Sequence, residues 1–313
     1  MYLETLSTTV LVTGPIFLIV LLGLVLRRLG FIDDRFNDVA ARLVFSICLP
    51  ALLFSAISRI DIQETVRPGL FYYSLAATLL AFSVAWLMVL PLQPRADRGV
   101  YVQGAFRGNL GVVGIALCAA AYGPEGLAVA SVLMAGMTVL YNVLGVFILS
   151  VYANRTLDLR GVIVKTLQNP LIIAIAIAVT LSALDVHIPS VLLATGDYLG
   201  SMALPLALLG TGASMSLSGL RRAGVATLSV VTMKAAVLPG LCTVLAAMLG
   251  FKGMELGVLF LMFVSPTATA SYPMVRAMGA NAALAANIIM LSTLTCLFTC
   301  SLGIFVLSAT DWG

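Results

Sequence analysis

Arg107-Gly108-Asn109-Leu110-Gly111-Val112-Val113-Gly114 interrupts an otherwise apolar stretch with three glycines, an asparagine and an arginine. About ten residues of helix-forming sequence precede it from Asp97, and about eight follow it before Tyr122-Gly123-Pro124, which places it near the middle of a membrane-spanning segment. Unwound backbone survives at that depth only where protein or a water-filled cavity surrounds it. Polar groups there are costly and point to function. The stretch is expected to form half of a binding site, with Arg107, Gly108, Asn109 and Gly111 as its members.

The membrane setting follows from composition. The chain has 313 residues, of which 61% are hydrophobic and 10% charged, and its mean hydropathy is +1.11. A soluble domain carries roughly 25% charged residues. The first apolar run is too long for a signal-peptide core and has no small-residue cleavage site after it, so it is expected to remain as the first helix. Five cysteines (Cys48, Cys118, Cys242, Cys296, Cys300) all lie within apolar runs, where they act as small hydrophobes and imply neither disulfides nor a metal site. The net charge of +4 is scattered over short loops rather than gathered on one face, which argues against a nucleic-acid partner. The single histidine, His187, reads as a solvated loop residue.

Apolar runs near the ~20 residues that a crossing helix needs occur at 8–29, 36–58, 68–92, 97–122, 126–152, 161–184, 189–217, 223–249, 254–278 and 281–308. Ten spans are expected. With the N-terminus outside, the inner loops collect Arg27, Arg28, Arg35, Arg95, Arg98, Arg155, Arg160, Lys165, Arg221, Arg222 and Arg276, and the outer loops hold Arg59, Arg67 and Lys252. This positive-inside bias sets both termini outside.

The two halves echo each other. Pro15 and Pro50 lie 35 residues apart, as do Pro170 and Pro205, and the pairs are offset by 155. Leu144-Gly-Val-Phe-Ile-Leu-Ser150 closes span 5, as Leu302-Gly-Ile-Phe-Val-Leu-Ser308 closes span 10. Two five-span repeats follow, over 1–155 and 156–313, and an odd number of spans inverts the second. Inverted repeats are a transporter signature, with the site at their interface on discontinuous helices. At the same offset, Arg107–Gly114 corresponds to Met262–Thr269, where span 9 is broken by Ser265-Pro-Thr-Ala-Thr-Ala-Ser-Tyr-Pro273; Pro266 and Pro273 each remove a backbone donor. The fold expected is an all-α membrane protein of ten helices in two inverted repeats, with broken helices 4 and 9 crossing at the midplane.

At these motifs the chain resembles the auxin efflux carrier family, in the bacterial branch that includes malonate transporters. The resemblance runs over nearly the whole chain. It rests on Arg107-x-Asn109-x-Gly111-x-x-Gly114, Asn169-Pro170, Pro205 with Gly210–Ser214, Pro266-Thr-Ala-Thr269, and the run from Gly279 through Leu284 to Leu291-Ser-Thr293. It implies a fold similar to the bile-acid sodium symporters, with a scaffold of spans 1, 2, 6 and 7 and a transport domain of spans 3–5 and 8–10 that moves like an elevator. It also implies a homodimer formed through the scaffold. Ala270 stands where many members have an asparagine, and the span from Leu70 to Leu90 lacks the charges that plant members carry.

Each candidate has a functional and a structural reading. Arg107 either holds a substrate carboxylate or caps carbonyls at the end of the first half-helix. Lys234, about eleven residues into span 8, either adds a second positive charge for an anion or hydrogen-bonds carbonyls freed by the break in span 9. A lone ammonium at that depth costs on the order of 3 kcal/mol. Asn109 donates and accepts toward the crossing or caps a turn. Pro266 breaks span 9, and Thr267 and Thr269 supply hydroxyls from it or back-bond their own helix. Asn142 is a further polar candidate, and Asn287 a weaker one. Arg42 and Asp197 occupy equivalent positions but should lie on opposite sides of the midplane, Arg42 snorkelling and Asp197 structural or in an outer vestibule.

Two midplane cations without an acidic residue of comparable depth in the transport domain point to an anion. The expected function is secondary transport of a small organic anion, a carboxylate such as malonate or an auxin-like acid, in a bacterial inner membrane. The alternatives are a sodium-coupled symporter of the bile-acid type and a non-transporting receptor. No cofactor is implied. No nucleotide-binding loop occurs, and no nucleophile with its base supports an intramembrane enzyme.

Overall fold

The computed structural model describes residues 14–15, 18–59, 68–92, 95–153, 160–161, 164, 167–184, 186, 188–213 and 224–310. The expectations that rest on Arg67, Arg155, Lys165, His187, Ser214, Arg221, Arg222 and the start of the first span lie outside the described residues. Among the described residues all regular structure is helical, apart from one isolated antiparallel bridge between Gly108 and Thr267.

The helices, in chain order, are α1 (18–28), α2 (Asp34–Ile57), α3 (Pro68–Val89), α4 (Arg98–Phe106), α5 (Ile115–Ala153), α6 (Pro170–Ala183), α7 (Ser190–Ala213), α8 (Val225–Met248), α9 (Gly253–Val264), α10 (Ser271–Ala277) and α11 (Ala282–Ala309). Six helical stretches among the described residues are long and apolar enough to cross a membrane: α2, α3, Leu110–Tyr152, α7, α8 and α11. This is a multi-pass membrane protein. Leu110–Tyr152 has 43 residues, about 65 Å at 1.5 Å per residue against a hydrocarbon core of about 30 Å. It is bent at Gly123, whose φ of 64° and ψ of −153° suit a residue without Cβ, directly before Pro124. The bend falls between the expected spans 4 and 5.

Prolines shape the helices in a repeated way. Pro50 has no N–H to offer the Ser46 carbonyl, and the preceding turn, Val44–Cys48, widens to a π-helix in which the Leu49 N–H reaches back to the Val44 carbonyl. Pro239 does the same to Met233–Val237, where the Leu238 N–H bonds the Met233 carbonyl. Lys234 sits in this widened turn. Pro205 follows a break in α7 at Met202. Pro273 does not act as expected. It lies in the first turn of α10, where a helix N–H has no intrahelical acceptor, so the helix runs through it; Pro266 alone carries the interruption of span 9.

The chain divides into two compact units. One comprises Met1–Pro68, Gly111–Ala135 and Leu167–Met215. Within it, Leu49, Leu53 and Ile57 of α2 are fully buried, and α2 packs against α6 and the first part of α7. Glycines permit close approach: a Cβ on Gly200 would meet the Leu52 backbone, and one on Gly212 would strike the Val20 carbonyl of α1. Asp197 pairs with Arg59, Nη1 to Oδ1 at 3.0 Å and Nη2 to Oδ2 at 2.5 Å. Arg42 stays exposed, its Nε on the Asp38 carbonyl of its own helix.

The other unit comprises Gly69–Leu110, Gly136–Thr166 and Ser216–Gly313. Its centre is α9, buried without interruption from Leu256 to Val264. Gly303 of α11 faces the Phe260 ring so closely that no Cβ fits. An aromatic cluster of Phe82, Trp86, Phe106, Tyr141 and Phe147 joins α3, α4 and α5, with ring centroids 5.1–6.3 Å apart. Apolar side chains left outside, such as Val225, Met248, Phe298 and Leu302, form the surface that a bilayer would solvate.

Candidate functional site

The site forms where α4 and α9 stop. α4 ends because Arg107 turns to φ −82°, ψ 104°, and α9 ends because Ser265, ahead of Pro266, turns to φ −49°, ψ 139°. The residue before a proline is pushed out of the helical region by the proline ring. The two extended segments pair antiparallel. The Asn109 N–H donates to the Pro266 carbonyl at 2.7 Å, and the Ala268 N–H donates to the Arg107 carbonyl at 3.0 Å. Each break thus supplies the hydrogen bonds the other has lost, which is how backbone stays satisfied away from water. Gly108 pairs with Thr267, four residues beyond Phe263, its counterpart at the offset of 155.

The extended stretch is shorter than the whole motif. It covers Arg107–Asn109, and Leu110–Gly114 already turns as a π-helix into α5. Gly111 belongs to the other compact unit, where a Cβ would stand 3.2 Å from Leu171 Cδ1. It lines close packing there.

Thr267 is 1% exposed and locks the crossing from both ends. Its hydroxyl donates to the Gly104 carbonyl of α4 at 2.6 Å, and its N–H donates to Ser292 Oγ of α11 at 3.0 Å. It bonds across to the neighbouring helix instead of its own. Thr269 is exposed, two residues on, and stands apart from the buried cluster.

Arg107 is 6% exposed. Its Nη2 donates to Asn142 Oδ1 of α5 at 2.9 Å, and its Nη1 donates to Met274 Sδ of α10 at 3.3 Å. The guanidinium therefore reaches side chains of other helices, not the carbonyls that end α4. This bond sets Asn142 beside Arg107.

Lys234 is 2% exposed, and its Nζ donates to the Phe263 carbonyl at 3.0 Å. It takes one of the carbonyls at the end of α9, where a positive charge complements the helix dipole. Its Nζ also lies against Gly108, whose absent Cβ would stand 3.2 Å from it and 2.6 Å from Ser265 Oγ. Gly108 is required by this close approach.

Asn109 is 7% exposed, and its backbone N–H is held by the Pro266 carbonyl. The Tyr141 hydroxyl is buried and has no hydrogen-bond partner among the described residues. Asp and Glu are missing from the buried polar side chains among the described residues, so the two cations face no carboxylate.

Sequence reasoning overlooked Gln103. It is fully buried on α4, one turn before Arg107, and its Nε2 shares Met274 Sδ with that arginine. The signal was present in the spacing, since residues four apart lie on one helical face.

The comparisons agree with one another. A family model described as "Membrane transport protein" matches residues 8–304. The chain is also similar to an "Uncharacterized transporter" of Methanothermobacter thermautotrophicus, 22% identical over 258 residues that cover 81% of this chain and 83% of the relative.

Proposed function

We propose, from the premise that this chain belongs to the membrane transport protein family, the auxin efflux carriers, that it is a secondary carrier of a small organic anion. The observation that carries the proposal is the pair of buried cations, Arg107 and Lys234, at two paired helix breaks with no buried acid among the described residues. Two uncompensated charges at that depth cost several kcal/mol. A carboxylate substrate offsets that cost.

The donors are available. Arg107 has two of five N–H groups engaged by described residues, and Lys234 one of three. Asn109 adds a carboxamide that can donate to an oxyanion or accept from a hydroxyl. The substrate class is a carboxylate of the malonate type or an auxin-like acid. Eight of the nine expected site residues lie in the second unit, and the reading assigns the carrying role and an elevator-type movement to it. Two inverted five-helix repeats, a bacterial inner membrane with both termini outside, and a homodimer through the scaffold complete the reading.

Charge movement in proteoliposomes on a solid-supported membrane tests it. Malonate, other dicarboxylates, monocarboxylates and an indole acid are applied with and without sodium and with a pH step. A saturable current for one carboxylate, lost in Asn109→Ala and Arg107→Gln, is expected. Absence of current and of labelled uptake across the whole panel would refute the carboxylate assignment.

A further inference from the structure

Gln103 Nε2 at 2.9 Å and Arg107 Nη1 at 3.3 Å converge on one atom, Met274 Sδ. A thioether sulfur is a weak acceptor. Two donors, one of them charged, aimed at a single point are the geometry for an oxyanion, where charge-assisted bonds are about twice as strong as neutral ones. Gly145 makes room for this convergence: a Cβ there would stand 3.0 Å from Gln103 Nε2, 3.2 Å from Arg107 Nη1 and 3.5 Å from Met274 Sδ. Gln103 Oε1 is buried and has no hydrogen-bond partner among the described residues, so the carboxamide is only half satisfied in this arrangement.

The geometry points to Met274 as a displaceable placeholder on a carboxylate subsite built by Gln103 and Arg107, with Gln103 a direct substrate-binding residue. This rests on the anion-carrier reading and adds to it a specific oxyanion position. Met274 is the mobile partner on physical grounds. It sits on the seven-residue α10, beyond the Pro266 break, and is half-buried, whereas Gln103 and Arg107 are both buried on or at the end of α4. An unbranched thioether side chain also changes rotamer at low cost. When a carboxylate arrives, the sulfur swings out and an anionic oxygen takes its two donors.

The test uses the full-length protein in proteoliposomes and in detergent. KM is read from uptake of labelled malonate, succinate, acetate and indole-3-acetate, and Kd from the ligand-dependent shift in thermal unfolding. Met274→Ala removes the competing acceptor and should tighten binding of the transported carboxylate by about 3–10-fold, the equivalent of one modest hydrogen bond. Gln103→Leu should weaken it by about 10-fold or more. An affinity gain in Met274→Ala cannot come from damaged folding, so that arm holds even where Gln103→Leu folds poorly. Unchanged KM and Kd in both variants, with transport by the wild type intact, would overturn the subsite and leave the carrier reading standing. A wild type that neither binds nor moves any of the four carboxylates would overturn the carrier reading itself, and the subsite with it.

Discussion

Gly108→Ala probes the crossing where it is tightest. The new methyl would stand 2.6 Å from Ser265 Oγ, 3.2 Å from Lys234 Nζ and 3.3 Å from Leu110 Cδ2. The first distance is below any carbon–oxygen contact, and both segments are fixed by the Asn109–Pro266 and Ala268–Arg107 hydrogen bonds. Relief by sliding the segments apart would break those bonds. Overpacking at such a point costs about 1–3 kcal/mol. Because the named obstacle is one hydroxyl, Ser265→Ala should recover much of the loss. Among the described residues that hydroxyl donates to the Met262 carbonyl of its own helix, at 2.7 Å, so its removal alone costs about 1 kcal/mol or less. A double-mutant cycle on unfolding in detergent should therefore give a favourable coupling of about 1 kcal/mol between Gly108→Ala and Ser265→Ala. Transport should fall in the single glycine variant and recover in part in the double. Strict additivity, or a Gly108→Ala protein as stable and active as the wild type, would refute the packing described here.

Other consequences follow from the same contacts. Thr267→Val keeps the volume but leaves the Gly104 carbonyl and a buried site without their 2.6 Å bond; unfolding stability should drop by about 1–3 kcal/mol, measured by the same denaturation assay. Lys234→Met removes the buried ammonium at the end of α9, and it should abolish or strongly reduce carboxylate transport while leaving a stably folded protein, checked by uptake together with thermal unfolding. Replacing sodium by choline should leave wild-type transport unchanged, since the Lys234 ammonium already occupies the Phe263 carbonyl; uptake in the two media compares them. Asp197→Asn breaks an ion pair whose side chains are nearly half exposed, so stability should change by less than about 1 kcal/mol.

The break in span 4 was legible because glycine, asparagine and arginine have no reason to sit together in a lipid-facing helix, and the break in span 9 because Pro266 forces Ser265 out of the helical region. Arg107, Asn109 and Lys234 stood out in the sequence as polar groups near the middle of a span, and Asn142 as a further polar residue in span 5. What the residues do once there was less so. The sequence offset gives repeat equivalence only, and which residue faces Gly108 is set by the backbone pairing with Thr267. Pro273 looks like a second break until the helix is seen to start just before it. The partner of Asp197 is Arg59, two residues past the end of α2, a contact that positional equivalence with Arg42 does not suggest. The convergence of Gln103 and Arg107 on Met274 depends on how α10 returns after the break, and local pattern carries no information on that.

Counterflow distinguishes an anion carrier built on paired helix breaks from a protein that does not exchange carboxylates. Proteoliposomes are preloaded with an unlabelled carboxylate and exposed to a trace of the labelled form, for each member of the malonate, succinate, acetate and indole-3-acetate panel. A transient overshoot of label is expected for at least one of them, abolished in Asn109→Ala and Arg107→Gln, because a carrier exchanges its substrate whether or not net charge moves. No overshoot for any of the four from protein that is folded and reconstituted, or an overshoot that survives both substitutions at full size, would contradict it.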